Sequence, residues 1–350
     1  MCNQRNPLFC YIPPYILENI AESDDDQIRK LALEALQFSA ETRAVRSLIS
    51  GLNISQYSSV PSFTEKHRMV YDMENMRYPL PGKLIRSEGD KPTGDSAADE
   101  AYDHAGITWD FYYQLFSRNS IDNRGMPLVS SVHLGVGFNN AFWNGNQMAY
   151  GDGDGKIFTC FTKALDVVAH EMTHGVISSE SNLEYHDEPG ALNESFADVF
   201  GALVQQWHNN QKNPKTADWD MGELIMGETG AKRLRTFKDE KAFEDDPYLG
   251  TDPQPKHLND KYTGTDDNGG VHINSGIPNY AFYRTAVEFD SPAWEKAGKI
   301  WYQTLRSLNS QSDFAETAEM TFQIAGNLYS SGSLEQKAVK TGWKAAGVEI

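Results

Sequence analysis

The spacing of apolar positions changes along the chain, and each change predicts a different kind of structure. Residues 1–50 carry Tyr11-Ile12-Pro13-Pro14-Tyr15, where two prolines predict extended chain. Asp24, Asp25 and Asp26 then precede a helical pattern, with Ile28, Leu31, Leu36, Phe38 and Val45 set among Arg29, Lys30, Glu34 and Glu41. Acidic residues at a helix start suit the helix dipole. This segment is too small for a core of its own and is expected to lie on the rest of the chain. Residues 51–60 are small and polar and read as a linker. Strand signals dominate from 61 to 160, with His133–Phe138 and Met148–Tyr150 as the clearest, interrupted by one helix near Ala97–Phe116. Helical spacing takes over from about residue 162. The pattern predicts an α+β chain, β-rich first and helical second.

One helical stretch carries chemistry. Leu165, Val168, Ala169, Met172 and Val176 recur every three or four residues, which predicts an amphipathic helix with Thr162 as its N-cap. Within it stands His170-Glu171-Met172-Thr173-His174. Histidines at i and i+4 leave one face of a helix and can grip a single zinc ion. Glu171 sits about 100° round the helix, placed to act as a base on water rather than as a ligand. The pentapeptide alone is also compatible with two surface histidines. After nineteen further residues comes Glu194, in Gly190-Ala-Leu-Asn-Glu-Ser-Phe-Ala-Asp198 on a second predicted helix. Glu194 can be the third zinc ligand, and Asp198, four residues on, can accept the second ring N–H of His170. Two histidines and a glutamate leave a fourth position open for catalysis.

These residues resemble the thermolysin-type metallopeptidases, the gluzincins. So do Asn139-Asn-Ala-Phe-Trp-Asn-Gly145, Tyr150-Gly-Asp-Gly-Asp-Gly155 and Asp267-Asn-Gly-Gly-Val-His-Ile-Asn-Ser-Gly276. The likeness covers about residues 65–350, and the short leader with Pro13-Pro14-Tyr15 is similar to protealysin-like members. Ala197 departs from the serine usual in that family. The resemblance implies a propeptide at 1–50, a linker at 51–60, a β-rich domain at 61–178 that ends in the zinc helix, and an α-helical domain at 179–350. It implies a zinc-dependent neutral endopeptidase, made as a self-processing zymogen, in which Glu171 activates water at the metal. Cleavage is then expected on the N-terminal side of bulky apolar residues.

Residue roles follow from the same resemblance. Taken alone, His272 in Gly269-Gly-Val-His-Ile-Asn-Ser-Gly276 reads as a packed or turn histidine. The resemblance assigns it to oxyanion stabilisation, with Asp267 orienting it and Tyr185 donating to the same oxyanion. Asn140 and Ala141 resemble the pair that holds substrate as an added strand. Arg235 resembles an arginine that clamps the carbonyl on the leaving side. Phe158, Phe161, Val167 and Leu234 are expected to line an apolar pocket as well as to pack as core. Asp166, Asp218, Asp220 and Glu223 match calcium-binding positions, but Gln205 replaces the bridging glutamate, so at most one Ca2+ is expected. The alternative is a solvated acidic loop.

Composition narrows the partners. A formal net charge of −18 opposes binding to nucleic acid or to an anionic membrane surface. Partners are expected to be protein and peptide substrates and the chain's own leader, and a monomer is expected. Three cysteines, two of them at positions 2 and 10, make a disulfide framework improbable. Cys10 as a zinc-capping thiolate lacks a surrounding motif, so a free thiol is favoured. No secretory signal is evident at the N-terminus, so the expected route is secretion without one, with a cytoplasmic location as the alternative. A gluzincin aminopeptidase would typically have eighteen residues before the glutamate and a G-x-M-E-N string. Met73-Glu74-Asn75 follows Tyr71-Asp72 instead and lies far upstream of the zinc motif. A catalytically dead binding protein is disfavoured by the presence of Glu171, Tyr185 and His272.

Overall fold

The computed structural model describes residues 9–51 and 62–350, and for residue 9 and residues 40–51 the backbone alone. Two compact units divide it. One runs to Val176 and takes in Gly222–Leu234 and Phe243–Thr251; the other holds Ile177–Met221, Arg235–Ala242 and Asp252–Ile350.

The first unit begins with β1 (Phe9–Cys10), α1 (Pro14–Ala21) and α2 (Asp26–Gly51). Tyr11–Tyr15 is therefore not all extended. Pro14 opens α1, because its missing N–H is one the first turn would leave unbonded and its fixed φ suits a helix start. Asp25 caps α2 by accepting from the backbone N–H of Gln27 at 3.0 Å and of Ile28 at 3.3 Å. Then come β2 (Arg68–Asp72), β3 (Lys83–Ser87), α3 (Ser96–Phe116), β4 (Leu128–Val132), β5 (Ala141–Trp143), β6 (Met148–Tyr150) and α4 (Leu165–Ser179). One six-stranded sheet runs in the order β1-β5-β6-β4-β2-β3. β4 pairs in parallel with β2 and β6, while β1 pairs antiparallel with β5. Helix α3 packs on β2 and β4 through a row that includes Ala101, Tyr102, Ala105, Trp109 and Tyr112.

The strand expected at His133–Phe138 lies earlier, at Leu128–Val132. His133 leaves the ladder at φ +54°, a conformation that a continuing strand cannot hold. Its imidazole is gripped from both sides, by Asp152 at 2.8 Å from Nδ1 and by Asp95, the N-cap of α3, at 2.8 Å from Nε2. The bond to Asp152 first, and that to Asp95 against the opposing effect of burial, push its pKa up to about 9. A raised pKa contributes stability that is full below the unfolded value of about 6.5 and disappears as pH climbs through the folded one. Thermal unfolding of an inactive variant is therefore expected to shift down by a few degrees between pH 7 and pH 10. His133→Gln should flatten that part of the profile, and an unchanged slope in the variant would place the alkaline loss elsewhere.

The second unit holds α5 (Asp187–His208), the short pair β7 (Asp220–Met221) and β8 (Arg235–Thr236), then α6 (Asp266–Asn274), α7 (Gly276–Ala286), α8 (Lys296–Leu305), α9 (Phe314–Tyr329) and α10 (Leu334–Ala345). Helix α5 packs against α6, and α7 against α10. Trp301 stacks over Trp343 at 6.4 Å and meets the Phe282 ring at 4.9 Å, and both tryptophans are fully buried. Asp313 caps α9 at the Glu316 N–H, 2.8 Å away, and Ser333 caps α10 at the Gln336 N–H, 3.2 Å away.

Candidate active site

Helix α4 does not expose a polar face. Every residue from 164 to 177 is buried, His170, Glu171, Thr173 and His174 included. Helix α5 is buried from Pro189 to Val204 in the same way, with Asn193, Glu194, Ser195 and Asp198 inside. Burying ionisable groups costs several kcal/mol each unless something compensates, so these side chains mark chemistry rather than surface. Thr162 does not cap α4. It lies in the 3-10 turn Phe161–Lys163, its hydroxyl donates to Glu100 at 2.8 Å, and the helix starts at Leu165.

One ligand atom each from His170, His174 and Glu194 lies within 4.8 Å of the others, the one such group among the described residues. The two histidine Nε2 atoms are 3.0 Å apart. Zinc holds imidazole nitrogen and carboxylate oxygen at ~2.0–2.2 Å, which sets tetrahedral neighbours ~3.3 Å apart. The donor set fits zinc in chemistry and in spacing, and three protein ligands are the number a catalytic zinc takes.

A second network belongs wholly to the second unit. The Tyr185 hydroxyl donates to Glu194 and stands 3.1 Å from His272 Nε2. His272 Nδ1 meets Asp267 Oδ1 at 2.7 Å, while Asp267 Oδ2 accepts the His272 backbone N–H at 2.8 Å. The segment before His272 explains this reach. Asp267, Asn268, Gly269 and Gly270 all take positive φ, from 53° to 82°, and curl the chain so that Asp267 faces the ring five residues on. Asp, Asn and Gly tolerate that conformation best. Gly269 and Gly270, at φ +82° and +80°, hold this conformation without strain. Burial pulls the His272 pKa down, but the charges of Asp267 and Glu194 outweigh it and push it up to about 9. Asp198 is paired with Arg235, at 2.9 Å with both side chains buried, and accepts from Asn279 at 3.0 Å.

The Asn140–Ala141 edge is in the first unit, and β1 with the two residues after it occupies it. Cys10 pairs with Phe142 and Phe9 with Trp143. The Tyr11 N–H donates to the Ala141 carbonyl at 3.0 Å. Asn140 accepts from the Ile12 N–H at 2.8 Å and returns a bond to the Ile12 carbonyl at 3.3 Å. The Tyr11 ring stands edge-on to the His170 ring at 5.0 Å. Cys10 Sγ lies 3.6 Å from Ser39 Oγ. Phe158, Phe161, Val167 and Leu234 are all buried, with the two phenylalanine rings 5.9 Å apart.

The calcium candidates form no ligating group among the described residues. Asp166 accepts the Gly222 N–H at 2.6 Å. Asp218 accepts from the Gln205 amide at 3.1 Å, and Asp220 from Thr236 at 2.6 Å with Lys238 at 3.6 Å. Glu223 is exposed and opens a 3-10 turn that ends in the buried Ile225. Three of the four carboxylates thus already accept a protein donor. Sequence reasoning missed Asn279, which holds Asp198, and Gln254, whose amide donates to the His272 carbonyl at 2.7 Å. Both lie far along the chain from their partners, and no local pattern marks them.

Fold and donor set define an α+β metallohydrolase. Residues 42–178 match the family model described as thermolysin metallopeptidase, catalytic domain, and residues 181–348 match that of the thermolysin metallopeptidase alpha-helical domain. An extracellular metalloprotease of Pectobacterium carotovorum is 43% identical over 99% of this chain and 98% of its own length. The protease PrtS of a Photorhabdus species is 41% identical over 99% of this chain and 94% of its own. Among solved structures, the precursor of protealysin, a metalloproteinase from Serratia proteamaculans, superposes with a TM-score of 0.87 at 44% identity, covering 97% of this chain and 99% of that one. The chain belongs to the thermolysin metallopeptidase family and is a metalloendopeptidase.

Proposed function

We propose that this chain is a neutral endopeptidase held as a zymogen by its own leader, and that it cuts before bulky apolar residues. The observation that carries the reading is the buried donor set His170, His174 and Glu194, with Glu171 beside it on α4. Zinc held by those three side chains supplies Lewis acidity toward the scissile carbonyl and the attacking water. Glu171 takes the proton from that water as it attacks and passes it to the leaving amine. Tyr185 and His272 donate hydrogen bonds to the oxygen that gains charge in the transition state, and Asp267 keeps the His272 ring charged and aimed. Arg235 holds a substrate carbonyl on the leaving side, itself fixed by Asp198. Asn140 and Ala141 bind the substrate backbone as an added strand, and Phe158, Phe161, Val167 and Leu234 receive the apolar side chain.

The leader reading rests on β1, which already fills the Asn140–Ala141 edge. Residues 1–50 are taken as the leader, 51–60 as the linker, 61–178 and 179–350 as the two catalytic domains; the linker is almost wholly outside the described residues. The name of the Pectobacterium relative supports secretion. No helix among the described residues is long and apolar enough to cross a membrane.

A peptide digest with and without a zinc chelator tests the activity, which should vanish on chelation and return with added zinc. Glu194→Ala separates ligand from bystander. Loss of an outer partner of a metal ligand typically costs 10–100-fold in affinity, so loss of a ligand itself should cost ~10²-fold or more. Full metal content in purified Glu194→Ala would move the third ligand elsewhere.

A further inference from the structure

A half-buried carboxylate behind the Asn140–Ala141 edge takes no part in the chemistry proposed above. Asp154 lies on the loop after β6, and its two oxygens have separate partners. Oδ1 accepts the backbone N–H groups of Lys156, Ile157 and Phe158 at 2.8, 2.7 and 3.2 Å, which closes the turn 154–158. Oδ2 accepts from the Asn139 side-chain amide at 2.7 Å, and Asn139 Oδ1 in return accepts the Asp154 N–H at 2.8 Å. A carboxylate cannot donate and a backbone N–H cannot accept, so the buried Asn139 amide has one orientation. The same loop is bonded to the residues on either side of Asn139. The Gly151 N–H donates to the Asn140 carbonyl at 2.9 Å, and the Gly153 N–H donates to the Phe138 carbonyl at 3.3 Å. Gly151 allows this approach, since a Cβ there would collide with the Phe138 carbonyl oxygen. Asn140, next along the chain, is the residue whose side chain holds both backbone groups of Ile12.

We infer that Asp154, acting through Asn139, is the positioning residue that sets the Asn140 amide, and that this one carboxylate governs how tightly the edge holds both the leader and a substrate strand. Among the described residues its hydrogen bonds run only to its own loop and to Asn139. Its charge makes the hold firm, because hydrogen bonds to an ionised acceptor are roughly twice as strong as neutral ones. The substrate half of the inference rests on the reading that substrate adds at Asn140 and Ala141. The leader half rests on the bonds to Ile12 alone. Weakening Asp154 should therefore cost substrate affinity and loosen the leader together.

Asp154→Asn separates the two tasks of the carboxylate. Its remaining oxygen can still close the turn, but its new NH2 faces the NH2 of Asn139, donor against donor. Adding Asn139→Asp puts an acceptor opposite that NH2, keeps an acceptor for the backbone N–H at 154 and restores the charge of the pair. Two readouts follow the edge. In the full chain carrying Glu171→Ala, Asp154→Asn should raise hydrogen exchange at the Ile12 amide ~10-fold, the worth of about one hydrogen bond to a charged group, while amides inside α1 keep their protection. In the processed enzyme, KM for a peptide that extends to both sides of the cut should rise ~10-fold with kcat unchanged, because a backbone contact made equally in ground and transition states sets binding alone. The double variant should bring both readouts back to those of the unaltered pair. A role confined to folding would instead lower kcat through the active fraction at unchanged KM, or raise exchange throughout the chain. Either result, no change in both readouts, or no repair by the double variant overturns the inference. A repaired rise at Ile12 with KM unmoved upholds Asp154 as the positioning residue for the leader and overturns the substrate strand proposed at Asn140.

Discussion

Glu171→Ala is expected to lower turnover by at least ~10²-fold while leaving zinc and fold in place, because general-base catalysis is worth ~10²–10⁴-fold. The separation follows from the site. His170, His174 and Glu194 make up the ligand group, and Glu171 is not among them. It is fully buried one residue from His170, so truncation leaves a small cavity in α4 with a cost in stability, not in metal. Glu171→Gln keeps the volume and removes the base, which isolates proton transfer from packing. Turnover on a denatured protein substrate and zinc content per chain are the two measurements. Retention of more than about a tenth of wild-type turnover by both variants would remove Glu171 from the mechanism.

The grouping of His170, His174 and Glu194 was legible because helical geometry turns spacing into position. His170 and His174 are one turn apart, and Glu194 sits on the next helix, so three letters and a count pick out the three side chains. The α+β class was legible for the same reason, from a change of period. The periodic reading was incomplete on α4, whose polar residues looked like a solvent face and are buried with the rest. Periodicity cannot tell water from an active site on the polar side of a helix. His272 stayed ambiguous because its orientation depends on four left-handed residues, and glycine content alone does not specify that path. The strand placed at His133–Phe138 failed because apolar letters there belong to a loop pinned by the His133 ion pairs with Asp95 and Asp152. Pairing of the leader with β5 joins segments about 130 residues apart, beyond any local signal.

Removal of the leader should be the step that turns the enzyme on, and the enzyme should perform it. Of the apolar side chains in this segment, Tyr11, Ile12, Ile16 and Leu17 are buried and Tyr15 is half-buried. Each fully buried large side chain contributes about 1.5–3 kcal/mol. Phe38 adds aromatic contacts to Phe138 at 5.2 Å and Phe142 at 5.6 Å. Net charge does not draw this segment to the rest, since residues 1–50 carry five basic and seven acidic side chains, 5 − 7 = −2, of a chain total of −18. Among the described residues, two ion pairs nevertheless join this segment to the rest, Glu34 with Arg77 at 2.6 Å and Asp25 with Lys156 at 3.3 Å. Both are partly exposed and worth ~0–1 kcal/mol each, so apolar burial still dominates. If substrate adds to the edge at Asn140 and Ala141 as proposed, a strand held this way excludes it for as long as it stays. Bonds before Leu48, Ile49, Leu52 and Ile54 match the expected specificity; the first two fall in the last turns of α2, and the last two are outside the described residues. Helical peptide must unwind to be cut, so processing should be slow and should begin where that helix ends. Purified wild type is expected to shorten by roughly 50 residues, the length assigned to the leader, while Glu171→Ala stays full length and is trimmed when a trace of active enzyme is added. Activity should rise in step with shortening, and Tyr11→Ala, which removes a fully buried aromatic anchor, should give activity before any cleavage. Equal trimming of Glu171→Ala in a protease-free preparation would rule out self-processing. Full activity in unprocessed wild type would make the leader a folding aid with no inhibitory role.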